Sequence, residues 1–173
     1  MIILTTLIYV LAVLGANYTT TPDWFIPLPI YGTVPLGTFI FGVTFTQRDR
    51  LHHYGRSYVY AAIAFAALAN VVMSAVLIVP LRIILASFVA IVLAESADTE
   101  VYQKLIDRSW LVRVLGSNAV SIPLDTLLFN GIAFWGALPL ATIASVMAGD
   151  IVIKTVVGAV TALYRSRHAE AAG

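Results

Sequence analysis

The chain has 173 residues; 60% are hydrophobic, only 11% are charged, and the net charge is +1. Its mean hydropathy is +0.92. Soluble domains carry about 25% charged residues, so the composition excludes an ordinary soluble fold and fits an integral membrane protein. A near-neutral balance gives no bulk attraction to nucleic acid. The lack of cysteine excludes disulfides, thiolate metal sites and cysteine nucleophiles.

The chain opens Met1-Ile2-Ile3-Leu4 without the basic region of a cleaved signal, so an uncleaved first span is expected. A crossing needs roughly 20 mostly apolar residues. Six segments are read as spans: residues 2–18, 34–46 (with Ile30 as the earliest start), 58–79, 81–96 (extendable to Tyr102), 112–135 and 139–164. Between the first two lie Pro22, Trp24, Phe25, Pro27, Pro29 and Tyr31. Proline stops helices and aromatics suit the water–lipid boundary, so this connection reads as an interfacial anchor or as a lid. The fold class is all-α: a polytopic membrane protein with six transmembrane helices, in one domain over residues 1–173.

Lys and Arg are retained on the cytoplasmic side of a membrane. Arg48, Arg50 and Arg56 follow the second span, Lys104, Arg108 and Arg113 follow the fourth, and Arg165 and Arg167 follow the sixth. These are eight of the ten basic residues. The alternate connections are nearly free of charge, so both termini are placed in the cytoplasm. Arg82 reads as a side chain reaching the outer interface, and Asp49, between Arg48 and Arg50, as a loop charge. His52 and His53 fall in a charged loop and His168 in the tail, which is poor material for a buried metal site.

Polar side chains inside spans are costly and mark solute or ion handling. In the fifth span Asn118, Ser121 and Asp125 are three, four and seven positions apart, on one helical face that Phe129 extends. Pro123 removes a backbone donor and is expected to kink the helix beside Asp125. In the fourth span Glu95, Asp98 and Tyr102 share a face, and Glu100 reads as a solvated charge. In the sixth, Asp150 and Lys154 form an i, i+4 pair. Lys154 is placed to neutralise Asp150, or to pair with Asp125 or Glu95 across the bundle. Asn70 reads as a helix–helix hydrogen-bonding residue, and Gly37 and Gly42 as close-packing positions. No phosphate-binding loop, His-Glu-x-x-His or Gly-x-Ser-x-Gly sequence occurs, so neither an enzyme nor a cofactor is expected.

Four stretches carry a family resemblance: Gly37-Thr38-Phe39 through Arg48-Asp49; Glu95-Ser96-Ala97-Asp98 with Val101-Tyr102; Arg113 with Ser117-Asn118; and Asp125-Thr126-x-x-Phe129 with Ala133-Phe134. Lys154 fits as well. The chain resembles the queuosine precursor transporter family, also called the vitamin uptake transporter family. The resemblance implies a six-helix inner-membrane protein importing 7-deazaguanines, chiefly 7-cyano-7-deazaguanine. The site residues expected for such a solute are Glu95, Asp98, Asn118, Asp125, Phe129, Phe134 and Lys154, with no metal. A carboxylate accepts two parallel N–H bonds from a guanine-like edge, and an aromatic ring stacks on its face. The expected partners are a small nucleobase-like solute and the lipid bilayer; a homo-oligomer is compatible, and proton coupling is open. The alternatives are the solute-binding subunit of an ATP-driven vitamin importer and a non-transporting membrane scaffold.

Overall fold

A computed structural model describes residues 2–20, 22–28 and 32–170, the side chains of 2, 22, 32, 33, 42, 43, 45, 46 and 165–170 aside. In chain order the elements are α1 (Ile2–Tyr18), β1 (Phe25–Leu28), β2 (Gly32–Pro35), α2 (Gly37–Leu51), α3 (Arg56–Val76), α4 (Leu81–Lys104), α5 (Trp110–Phe134) and α6 (Leu140–Glu170). Short 3-10 turns occupy Pro22–Trp24 and His52–Tyr54. Pro29, Ile30 and Tyr31 lie outside the described residues, as do the side chains of Gly42, Arg165, Arg167 and His168.

The six helices form where the apolar segments predict them, but several boundaries move: α3 ends at Val76 rather than 79, and α6 runs to Glu170 rather than 164. The expected irregular connection after α1 contains an antiparallel hairpin, with Phe25 opposite Pro35 and Leu28 opposite Gly32. The fold is therefore mostly helical rather than all-α. The hairpin takes up Val34 and Pro35, so α2 starts at Gly37. It then runs five residues beyond the expected end at Thr46, because Arg48 and Asp49 belong to the core: both are fully buried. Asp49 is not a loop charge, and Arg48 does not belong with the solvated basic residues. Helix α4 continues to Lys104 because its last turns carry a buried stripe of Glu95, Asp98, Thr99 and Tyr102. Helix α5 runs through Pro123 to Phe134.

The polarity of the molecule is inverted relative to a soluble protein. Leu4, Leu68, Val72, Leu127 and Val160 are largely exposed, whereas Arg48, Asp49, Asp98 and Thr126 have no exposed surface. Hydrocarbon outside and polar groups satisfied within is the arrangement a bilayer enforces. Arg56–Val76, Trp110–Phe134 and Leu140–Tyr164 are long and apolar enough to cross a membrane, and α1 is a shorter apolar helix. Lipid gives apolar side chains little reason to leave it, so close packing and polar contacts hold such helices together. Ala86, Ala90 and Ala94, one turn apart, are buried on α4, and Ala62, Ala66 and Ala67 on α3.

Side chains also tie helix ends together. Arg82 is exposed but does not simply reach outward. Its Nε donates to the Ile132 carbonyl at 2.6 Å, and a terminal nitrogen donates to the Trp135 carbonyl. The start of α4 thus supplies donors to carbonyls that the end of α5 leaves open. At the other end Arg56 pairs with Glu100 at 2.5 Å, and the Tyr60 hydroxyl donates to the same carboxylate.

Gly37 marks a close approach of α1 and α2. A Cβ there would lie 2.1 Å from the Ala16 carbonyl oxygen and 2.7 Å from Thr20 Oγ1, whereas a Cβ at Gly15 meets nothing within 4 Å. Gly37→Ala is therefore expected to force the helices apart and cost about 1–3 kcal/mol, the range for overpacking. Gly15→Ala should leave thermal stability unchanged or slightly raised, since alanine is the better helix former. Melting temperatures of the two variants in detergent check this contrast.

Candidate functional site

Two buried polar nodes lie along the bundle. The first is built around Lys154 of α6. Its Nζ donates to Asp150 Oδ2 at 2.5 Å and to Asp125 Oδ2 at 2.7 Å, and it stands 5.1 Å from the Phe41 ring centroid. The local pair with Asp150 and the cross-bundle pair with Asp125 therefore coexist. Asp150 is fully engaged: Thr38 Oγ1 donates to Oδ1 at 2.5 Å and Thr126 Oγ1 to Oδ2 at 2.7 Å. Asp125 is different. Among the described residues Lys154 is its one hydrogen-bond donor, through Oδ2.

The node faces a narrow pocket that is open on one side. Asp125, Asp150, Lys154, Thr38, Phe41 and Phe129 line its charged and aromatic side. Asn17, Thr20, Pro35, Ser87 and Asn130 also line it. The Asn17 amide donates to the Val13 carbonyl at 2.9 Å, and its oxygen accepts from the Ser87 hydroxyl. Asn130 donates to the Thr126 carbonyl at 2.9 Å. Amides offer donor and acceptor together, so the pocket can match a solute edge of mixed polarity.

The second node is centred on Arg48, about two turns along α2 from Phe41. Nη1 donates to Glu95 Oε2 at 2.5 Å, and Nη2 lies 2.8 Å from Asp98 Oδ2 and 3.5 Å from Asp49 Oδ1. Ser121 Oγ donates to Asp98 Oδ1 at 2.7 Å. One guanidinium thus joins α2 to α4, and the serine joins α4 to α5. Both nodes are rich in negative charge, with two carboxylates to one ammonium and three to one guanidinium.

Below this node the His52 ring stacks on Tyr102, centroids 4.0 Å apart, with Nδ1 2.9 Å from the Gln103 amide nitrogen. Burial is the main reason its pKa falls from 6.5 to about 3, and Arg48, Arg113 and His53 push in the same direction. His52 is neutral in this setting, half-buried in the 3-10 turn that joins α2 to α3.

Of the seven site residues expected from the sequence, the structure brings Asp125, Phe129 and Lys154 together at the pocket. Glu95 and Asp98 are buried in the Arg48 node instead. Asn118 lies in the α5–α6 interface opposite Gly158, with its side-chain oxygen buried and unpartnered among the described residues. Phe134 packs edge-on against Phe129 and Phe25, with centroids 6.0 Å apart in both pairs, so it backs the pocket wall rather than lining it. Thr38, Asn17, Ser87 and Asn130 were not expected at the site. Asn70, proposed as a helix–helix contact, is buried, with its amide nitrogen unpartnered among the described residues.

The family model described as "Putative vitamin uptake transporter" matches residues 73–164. That span includes Glu95, Asp98, Asp125, Asp150 and Lys154. No curated protein and no solved structure matches the chain. The matched region is more than half of the chain and carries four of the five acidic residues of the two nodes together with the pocket lysine. With its apolar crossing helices, the chain is a multi-pass membrane protein and belongs to this family of vitamin uptake transporters.

Proposed function

We propose that the protein imports a flat, hydrogen-bonding heterocycle across the inner membrane, with a 7-deazaguanine such as 7-cyano-7-deazaguanine as the solute. The observation that carries this reading is Asp125. It is a buried carboxylate on a pocket wall, held by a single donor among the described residues, with acceptor capacity left for a solute. Adjacent N–H groups of a guanine-like edge make charge-assisted bonds to such a group. Phe41 and Phe129 flank it with aromatic surface, and Thr38, Asn17, Ser87 and Asn130 supply neutral polar contacts. A solute lacking the matching edge would bury Asp125 without the added donors it can accept, which is a basis for discrimination.

The distribution of exposed charge supports six crossings with both termini in the cytoplasm. Arg50, Arg56, Lys104 and Arg108 are exposed at the His52 end of the bundle, whereas the described hairpin carries no basic residue. Removing Arg48 from the count does not alter that bias. On this topology the pocket lies toward the outside and the Arg48 node closes the route inward. Inward release then requires Arg48 to part from Glu95 and Asp98, and solute or a proton arriving at the carboxylates would weaken that closure.

A queuosine-auxotrophic cell without its own importer provides the test. The wild-type gene is expected to restore queuosine in tRNA from nanomolar external precursor, and Asp125→Ala, at equal membrane abundance, is expected not to. Full restoration by Asp125→Ala would remove the pocket from the mechanism.

A further inference from the structure

We infer that the His52 end of the bundle holds a divalent transition-metal ion between Asp49, His52 and Asp98. One carboxylate oxygen from each aspartate and one ring nitrogen of His52 lie within 4.8 Å of one another. Three ligands at about 2.1 Å around a tetrahedral ion stand about 3.4 Å apart, so the trio would draw together by up to about 1.4 Å to close on it. Two features set this trio apart from an ordinary acidic cluster. Asp49 has no exposed surface, yet its Oδ2 has no hydrogen-bond partner among the described residues, and His52 Nε2 also has none. A buried polar atom without a partner is costly and calls for an unseen ligand.

The charge balance points to a dication. Arg48 balances one of the three carboxylates Asp49, Glu95 and Asp98, and the other two need protons or a further cation. A divalent ion meets that need, and Arg48 keeps Glu95 as its own partner at 2.5 Å. Asp98 Oδ2, 2.8 Å from Arg48, has a further lone-pair direction to offer. Two carboxylates and an imidazole suit manganese or zinc better than magnesium or sodium. A half-turn of the Gln103 amide would present its oxygen to His52 Nδ1–H, the support a ligating histidine usually receives. Bound there, the ion would tie α2, α4 and the 3-10 turn together beneath the Arg48 closure. The site is about two helical turns from the pocket, and it does not depend on which solute is carried.

The test uses the full chain, purified through a histidine-free tag, stripped with chelator and dialysed against Mn²⁺. The inference predicts one Mn²⁺ per chain by elemental analysis, with nitrogen coupling from one imidazole in pulsed electron paramagnetic resonance. Asp49→Asn should weaken binding at least tenfold, His52→Gln should abolish the nitrogen coupling, and His53→Gln should change neither. If the His52 or Asp49 variant does not fold, ¹⁵N-histidine labelling of the wild type still decides whether a histidine ligates. Absence of stoichiometric Mn²⁺ in the wild type, bound Mn²⁺ without histidine coupling, or coupling lost in His53→Gln overturns the assignment.

Discussion

Replacing Lys154 by alanine is expected to abolish solute binding and to lower the melting temperature by about 10 °C. The ammonium is the one cation among the charged pocket residues, and its loss strands Asp125 and Asp150, which are 5% and 4% exposed. Breaking a buried ion pair by removing one partner costs about 3–5 kcal/mol, since the remaining charge is left uncompensated. For a chain of this size each kcal/mol shifts the midpoint by about 2–4 °C. Asp125→Asn should behave differently. Lys154 then keeps Asp150, so stability should stay within about 1 kcal/mol of wild type. Solute affinity should nevertheless fall about 100-fold, because charge-assisted bonds contribute about 1.5–3 kcal/mol each. Thermal unfolding in detergent and equilibrium binding, run on both variants, read this split. A Lys154→Ala protein as stable as wild type would show that the node is not the buried triad described.

The second large effect is expected at Arg48. Arg48→Ala leaves Asp49, Glu95 and Asp98 without their guanidinium in a region sealed from water, and the protein should fail to accumulate in the membrane. Arg48→Lys should rescue little, since an ammonium lacks the planar fork that reaches Glu95 and Asp98 together. Combining Arg48→Ala with Glu95→Gln and Asp98→Asn removes most of the stranded charge and should restore abundance in quantitative blots. Transport should remain lost if the node also gates release. Wild-type levels for Arg48→Ala alone would contradict the buried cluster.

The helices were legible from hydropathy because lipid-facing surfaces must be apolar along their whole length. The span read at residues 2–18 coincides with α1. The acidic stripes were legible too: three- and four-residue spacing placed Glu95 with Asp98, and Asp125 with Phe129, on buried faces. The extent of α2 was not, because hydropathy falls after Thr46 and the partners that draw Arg48 inward lie 47 and 50 positions away at Glu95 and Asp98. A local signal did exist. Gly37, Phe41, Thr44 and Arg48 recur at four, three and four residues, a single helical stripe that continues past the apolar stretch. Asn17, Ser87 and Asn130 meet only through the packing of α1, α4 and α5, so no spacing within one helix reveals them. The hairpin was hidden by its prolines, which suggest irregular chain but are tolerated in a two-stranded edge.

The central claim is that Asp125 and the Lys154 node grip a guanine-like edge. Equilibrium binding of 7-cyano-7-deazaguanine to the purified chain, with guanine as competitor, tests it most directly. Saturable one-to-one binding that resists excess guanine and is lost in Asp125→Asn is the result expected. No binding by a well-folded wild-type protein, or binding that Asp125→Asn leaves intact, would contradict it.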